Sequence, residues 1–187
     1  MPTDPAPSPS TPNSDPAEAA RRLGLAALAG LLPAVLAILF VDRAVSDAVH
    51  EELHGVRLFV WLTWIAEPIL PLSAAFLLLV GGVAAFGRLP AGGAMRVALA
   101  AAVASLVASA IKDQLKYAFG RTWPETWTQG NPSWIGDHVY GFFPFHGGQG
   151  WASFPSGHTT MIAAPMAVLW CVAPRLRPLL PVPVLLV

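Results

Sequence analysis

Charge is scarce in this sequence. Only 12% of its 187 residues are charged, about half the roughly 25% of an ordinary soluble domain. The 11 basic and 11 acidic residues cancel, so the chain carries no net positive field to hold a nucleic-acid backbone, and nucleic acid is excluded as a partner. Cysteine is nearly absent: Cys171 stands alone in an apolar segment, which rules out an internal disulfide and marks it as a core residue. The first residues also lack the basic start of a secretory signal. What the chain has in excess is apolar surface, 55% hydrophobic residues with a mean hydropathy of +0.56. The class that follows is an integral membrane protein.

Residues 1–20 are rich in Pro, Ser, Thr and Asp and are expected to form a disordered cytoplasmic tail. After Arg21 and Arg22, the charge-free run Leu23 to Val41 approaches the about 20 residues that cross a bilayer. Asp42 to Arg57 has the pattern of a short amphipathic helix on the membrane surface. Its His50 and His54 have the spacing of a ligand pair on a helix, but no third ligand with recognisable spacing accompanies them, so a solvated polar face is preferred.

Leu58 to Ala66, with Trp61 and Trp64, suits the interface, and Ile69 to Phe86 a crossing. Between them lies Glu67. A carboxylate within the membrane is a functional candidate, but near the headgroups the solvated reading is preferred. Gly87 to Met95 forms a turn bearing Arg88. Arg96 then opens a helix dense in Ala and Ser, small residues that allow close packing inside a bundle. His158 to Ala173 is the fourth expected span, followed by a basic turn at Arg175 and Arg177. A fifth begins at Leu179 and has nine residues to Val187. The fold expected for residues 21–187 is all-α, a polytopic transmembrane bundle of four complete spans and an incomplete fifth.

Arg21, Arg22, Arg88, Arg96, Arg175 and Arg177 fall on one side of such a bundle, which the positive-inside rule makes cytoplasmic. Lys112 and Lys116 fall on the other. Four apart, they share a helix face, and cations on the side where topology does not call for them point to a ligand.

The stretch from Lys112 to Thr160 therefore holds the expected site. Lys116 and Arg121 lie where an apolar helix emerges into a loop, and a compact ammonium with a planar guanidinium suits an oxyanion. Phe154-Pro155-Ser156-Gly157-His158 runs straight into an apolar helix. Its entrance has the free amides and positive dipole end of a helix start, Gly157 permits close approach, and His158 can exchange a proton near neutral pH. Between the two patterns, Trp123, Trp127, Trp134, Tyr140, Phe142, Phe143, Phe145 and Trp151 alternate with glycines, as expected of a compact lid at the interface. His138 and His146, within it, are read as polar loop residues.

Lys116 to Pro124 followed by Pro155 to His158 resembles the first two motifs of the phosphatidic acid phosphatase type 2 family, Lys-x6-Arg-Pro and Pro-Ser-Gly-His, carried on a helical bundle related to the vanadium haloperoxidases. The resemblance extends over most of the chain after Arg21. It implies metal-independent hydrolysis of a phosphomonoester or diphosphate with no cofactor, on a lipid substrate. The site would lie on the extracytoplasmic face of a bacterial inner membrane. By the same resemblance Lys116 holds phosphate oxygens, with Arg121 standing in for the motif arginine, whose place is taken by Trp123. Ser156 and Gly157 offer helix-start amides and His158 protonates the leaving oxygen.

The family's third motif, Ser-Arg-x5-His-x3-Asp, supplies the histidine that attacks phosphorus, and it does not occur in these 187 residues. The chain is accordingly expected to be the leading part of a six-span protein. The alternative is a catalytically inactive membrane protein that binds a lipid phosphate or a partner through the same cradle.

Overall fold

The computed structural model describes residues 15–87, 92–126 and 130–187. Arg88, Trp127 and residues 1–14 of the expected tail lie outside the described residues. The chain divides into a first compact unit ending at Val45 and a second from Ser46 to Val187.

In the first unit, α1 (Pro16–Phe40) starts where Asp15 accepts a hydrogen bond from the Ala17 amide at 3.0 Å. That cap brings residues 16–20 into the helix, earlier than the tail boundary expected at residue 20. Ala20–Phe40 is long and apolar enough to cross a membrane.

The second unit contains most of α2 (Asp42–Leu53), then α3 (Arg57–Thr63), α4 (Ile69–Ala85), α5 (Gly93–Phe119), the single turn α6 (Trp134–Asp137), α7 (Gly157–Val172) and α8 (Pro181–Leu185). Among the described residues, α5 is the second helix long and apolar enough to span. α4 and α7 are apolar but have 17 and 16 residues, about 26 and 24 Å at 1.5 Å per residue, against a hydrocarbon core of about 30 Å. Two helices of spanning length, rather than four, are what the described residues provide. The expected fifth span is a turn at Leu179 followed by the five residues of α8. Pro178, Pro181 and Pro183 withhold the amides that a longer ladder needs.

The helix α5 is the hub, packed against both α4 and α7. Its buried residues Ala102, Ser105 and Ser109 recur at helical spacing on one face, and the Ser105 hydroxyl turns back to the Ala101 carbonyl at 2.9 Å. Such a seam lets a neighbouring backbone come close, and α7 presents Ile162, only 2% exposed. Val103, Val107 and Ile111 of α5 are about half exposed instead.

At its C-terminus α5 closes on Gly120 in the left-handed conformation (φ +56°), whose amide bonds the Lys116 carbonyl at 2.8 Å. From there residues 120–123 form the central strip of a layer. Phe143 N bonds Gly120 O at 2.9 Å and Thr122 N bonds Gly141 O at 3.2 Å along one side, while Ser153 N bonds Arg121 O at 3.2 Å along the other. Buried Thr122 is satisfied by the Val139 carbonyl, and Ser133 caps α6 by accepting from Gly136 N at 3.0 Å. Rings close the layer. Phe119 meets Phe154 at 5.3 Å, and Phe143 meets Trp151 at 4.7 Å. The lid expected from the alternation of aromatics and glycines is thus a hydrogen-bonded layer over the end of α5.

Gly120 is the hinge of this arrangement, because a Cβ there would overlap the Phe143 carbonyl oxygen as well as straining the backbone. Gly120→Ala is expected to cost at least about 2 kcal/mol, measured as a clear drop in melting temperature of the detergent-solubilised chain. A melting curve superimposable on the wild type would show that the lid is not anchored at this point.

Candidate active site

Lys112 and Lys116 project from the last turns of α5 toward the entrance of α7. The Lys116 ammonium donates to the Ala152 carbonyl at 2.7 Å, and that of Lys112 pairs with Asp113 at 2.8 Å. A Cβ placed on Gly157, the first residue of α7, would lie 3.8 Å from both Lys116 Nζ and Lys112 Cδ. The helix start and the lysines are therefore neighbours, with room between them for about one methyl group, although separated by some forty residues of lid.

Ser156 is the N-cap of α7, its hydroxyl accepting from the Thr159 amide at 3.4 Å and its carbonyl from the Thr160 hydroxyl at 2.7 Å. This fixes the first turn, with its positive dipole end beside the Lys116 ammonium and the methylene stem of Lys112. A cleft of about 420 Å³ shares these two lysines; it is lined by Lys112, Asp113, Lys116 and Tyr117 of α5 and by residues 146–149, 151 and 152 of the lid, while Ser156, Gly157 and His158 are not among its lining residues.

His158, in the same first turn, places Nε2 3.0 Å from Glu67 Oε1. Glu67 belongs to the turn between α3 and α4, so three parts of the chain converge. Glu67 is exposed, as the solvated reading expects, and in addition partners His158. The signal was a lone carboxylate amid apolar runs. Its partner, 91 residues away, was not visible from spacing.

Arg121 is placed differently from Lys116. Its side chain is 6% exposed, with the guanidinium carbon 4.6 Å from the Tyr140 ring and 4.9 Å from Phe142, and it is not among the residues lining the cleft. Its backbone pairs with Ala152 and Phe142 as bridges of the lid. Trp123, which takes the place of the motif arginine, does turn toward the site: its indole lies 6.0 Å from Lys116 Nζ and donates to the Gln149 carbonyl at 2.7 Å. His146, read as a polar loop residue, is a wall of the cleft, with Nδ1 3.1 Å from the Phe143 carbonyl. His138 caps α6 in the left-handed region and packs on Trp134.

Two lysines on a cleft wall, with a capped helix start next to Lys116 and, in the same first turn, an imidazole held by a carboxylate, are groups suited to a phosphate ester. Comparison with known protein families matches residues 93–187 to the PAP2 superfamily. The chain belongs to the PAP2 superfamily. Members of this superfamily are phosphatases, which places the protein among hydrolases of phosphate esters. The match begins at the first residue of α5, so the resemblance expected from Arg21 onward is carried by the C-terminal half. Lys116, Arg121, Ser156, Gly157 and His158 lie within the PAP2 match, and Glu67 lies outside it. Searches of curated proteins and of solved structures found no match.

Charge-assisted hydrogen bonds to a phosphate oxygen are each worth about 1.5–3 kcal/mol. Removing the ammonium by Lys116→Ala is therefore expected to weaken binding of inorganic phosphate about tenfold or more, measured by calorimetry on the purified chain. Unchanged affinity would remove Lys116 from the cradle.

Proposed function

We propose that this protein is the substrate-binding part of a membrane-embedded lipid phosphatase that hydrolyses a lipid phosphate or diphosphate through a phosphohistidine intermediate. The observation that carries the reading is the meeting of Lys116 with Gly157 at the start of α7. The lipid character of the substrate is supported by α5, whose exposed Val103, Val107 and Ile111 suit contact with acyl chains while its end carries the polar cleft. A polytopic bundle in a bacterial inner membrane, with the cleft on the extracytoplasmic face, agrees with the arginine distribution.

In this reading the substrate phosphate rests on the first-turn amides after Ser156, at Gly157, with the Lys116 ammonium on a second oxygen. Phosphoryl transfer asks mainly for positioning and charge stabilisation, which this cradle supplies without a metal. His158 gives its proton to the leaving oxygen, and Glu67 holds the imidazole by Nε2 so that Nδ1 serves the substrate. Arg121 is the second phosphate-binding cation in this scheme, and its guanidinium then leaves the Tyr140 and Phe142 rings when phosphate enters. The family resemblance assigns the attack on phosphorus to the histidine of a third motif, Ser-Arg-x5-His-x3-Asp, which does not occur in these 187 residues.

The test is release of phosphate from phosphatidic acid or a lipid diphosphate in micelles by the intact protein isolated from its own membranes. His158→Ala is expected to lower turnover by about 10²- to 10⁴-fold, the usual contribution of general acid–base catalysis, with the melting temperature retained. Glu67→Gln is expected to lower kcat more than it changes KM. Wild-type turnover in purified His158→Ala sinks the phosphatase assignment. Saturable phosphate binding without any turnover, lost in Lys116→Ala, favours the non-catalytic alternative, a reading to which Trp123 in the arginine position lends support.

Arg121→Ala tests the second cation separately. A loss of phosphate affinity comparable to that of Lys116→Ala is the expected result. Lower thermal stability with unchanged affinity would confine Arg121 to bracing the lid.

A further inference from the structure

Away from the cleft, α2 and the lid bring together three side chains that the phosphatase reading does not use. His50 and His54 are one helical turn apart on α2, within the sequence His50-Glu51-Glu52-Leu53-His54, and such a pair presents two imidazoles on one helix face. Glu125 reaches them from the lid. Its Oε1 lies 3.4 Å from His50 Nδ1 and 3.1 Å from His54 Nδ1, and the three ligand atoms all lie within 4.8 Å of one another.

Tetrahedral zinc with ligand bonds of about 2.0–2.1 Å requires ligand atoms about 3.4 Å apart. The two separations from Glu125, 3.4 and 3.1 Å, are close to that length, and within a group spanning up to 4.8 Å the remaining approach is small. His50 Nδ1 is also shielded from water and forms no well-aligned hydrogen bond, its neighbour being Glu125 Oε1 at 3.4 Å, an arrangement that a shared cation would satisfy. Two imidazole nitrogens and a carboxylate oxygen form a donor set suited to a borderline divalent cation, with a fourth position left for water.

We infer that His50, His54 and Glu125 form a divalent-cation site, with zinc as its fitting ion. The site stands apart from the phosphate cleft and holds whether or not the phosphatase reading does. Its effect is mechanical. Asp47, His50 and His54 lie on the same face of α2, and the Trp134 indole already donates to Asp47 at 2.6 Å. A metal on the two histidines adds a second tie between α2 and the lid, at Glu125, two residues beyond Trp123. The bound ion thereby braces the lid segment that follows the first motif.

The experiment is equilibrium dialysis of the chelator-treated, detergent-solubilised full chain against Zn²⁺, with thermal melting alongside. One zinc per chain and a rise in melting temperature on loading are expected. His54→Ala and Glu125→Gln, changes at partly exposed side chains on two different elements, are each expected to weaken zinc binding by at least about tenfold. Both should lose the thermal rise, while their zinc-free melting stays that of the wild type. His146→Ala, in the other cleft, should bind zinc as the wild type does. Absence of stoichiometric zinc uptake overturns the inference, as does uptake undiminished in both variants; in either case the cluster is only a pair of histidines sharing a carboxylate.

Discussion

The close approach of α5 and α7 is the constraint on which the site depends. Ala102, Ser105 and Ser109 leave α5 with almost no bulk on the face it buries, and this permits α7 to start beside the end of α5. Only then do the Lys116 amine and the Lys112 stem come beside the first residue of α7. Larger side chains on that seam would push the helix start away from the lysines, and the amides and ammonium groups could no longer address one anion. Packing in the apolar part of the fold thus decides the chemistry at its polar edge.

The lid extends the same logic. Its burial is polar as much as apolar: Thr122, Asn131 and Ser133 are among the least exposed side chains of the molecule, each held through hydrogen bonds. A layer built in this way is specified by directional contacts, which fix where Trp123 and Ala152 stand relative to Lys116. The helices, in contrast, leave many large apolar side chains exposed, a surface that suits the membrane association proposed for the protein.

Local signals were legible in the sequence and distant ones were not. Apolar runs ended by glycine and proline located α4, α5 and α7 to within a few residues, and Pro155-Ser156-Gly157 before an apolar run marked the entrance of α7. The start of α1 at Pro16 was not legible, because it is set by the Asp15 cap rather than by hydropathy. Neither the contact of Glu67 with His158 nor that of Glu125 with the α2 histidines has any sequence period to betray it, since each joins elements brought together only by tertiary folding. Arg121 shows the same limit. Its type and position suit an anion, and that its guanidinium packs on two aromatic rings only the fold of the lid could reveal.

The placement of tryptophan at the cleft has an optical consequence. The Trp123 indole faces Lys116, and Trp151 forms part of the cleft wall against His146. Indole emission responds to charge and hydration nearby, so an anion settling on Lys116 changes the field at one ring and displaces water from the other. The protein carries an intrinsic fluorophore in the wall of its candidate cleft, at Trp151, and a second beside Lys116, at Trp123.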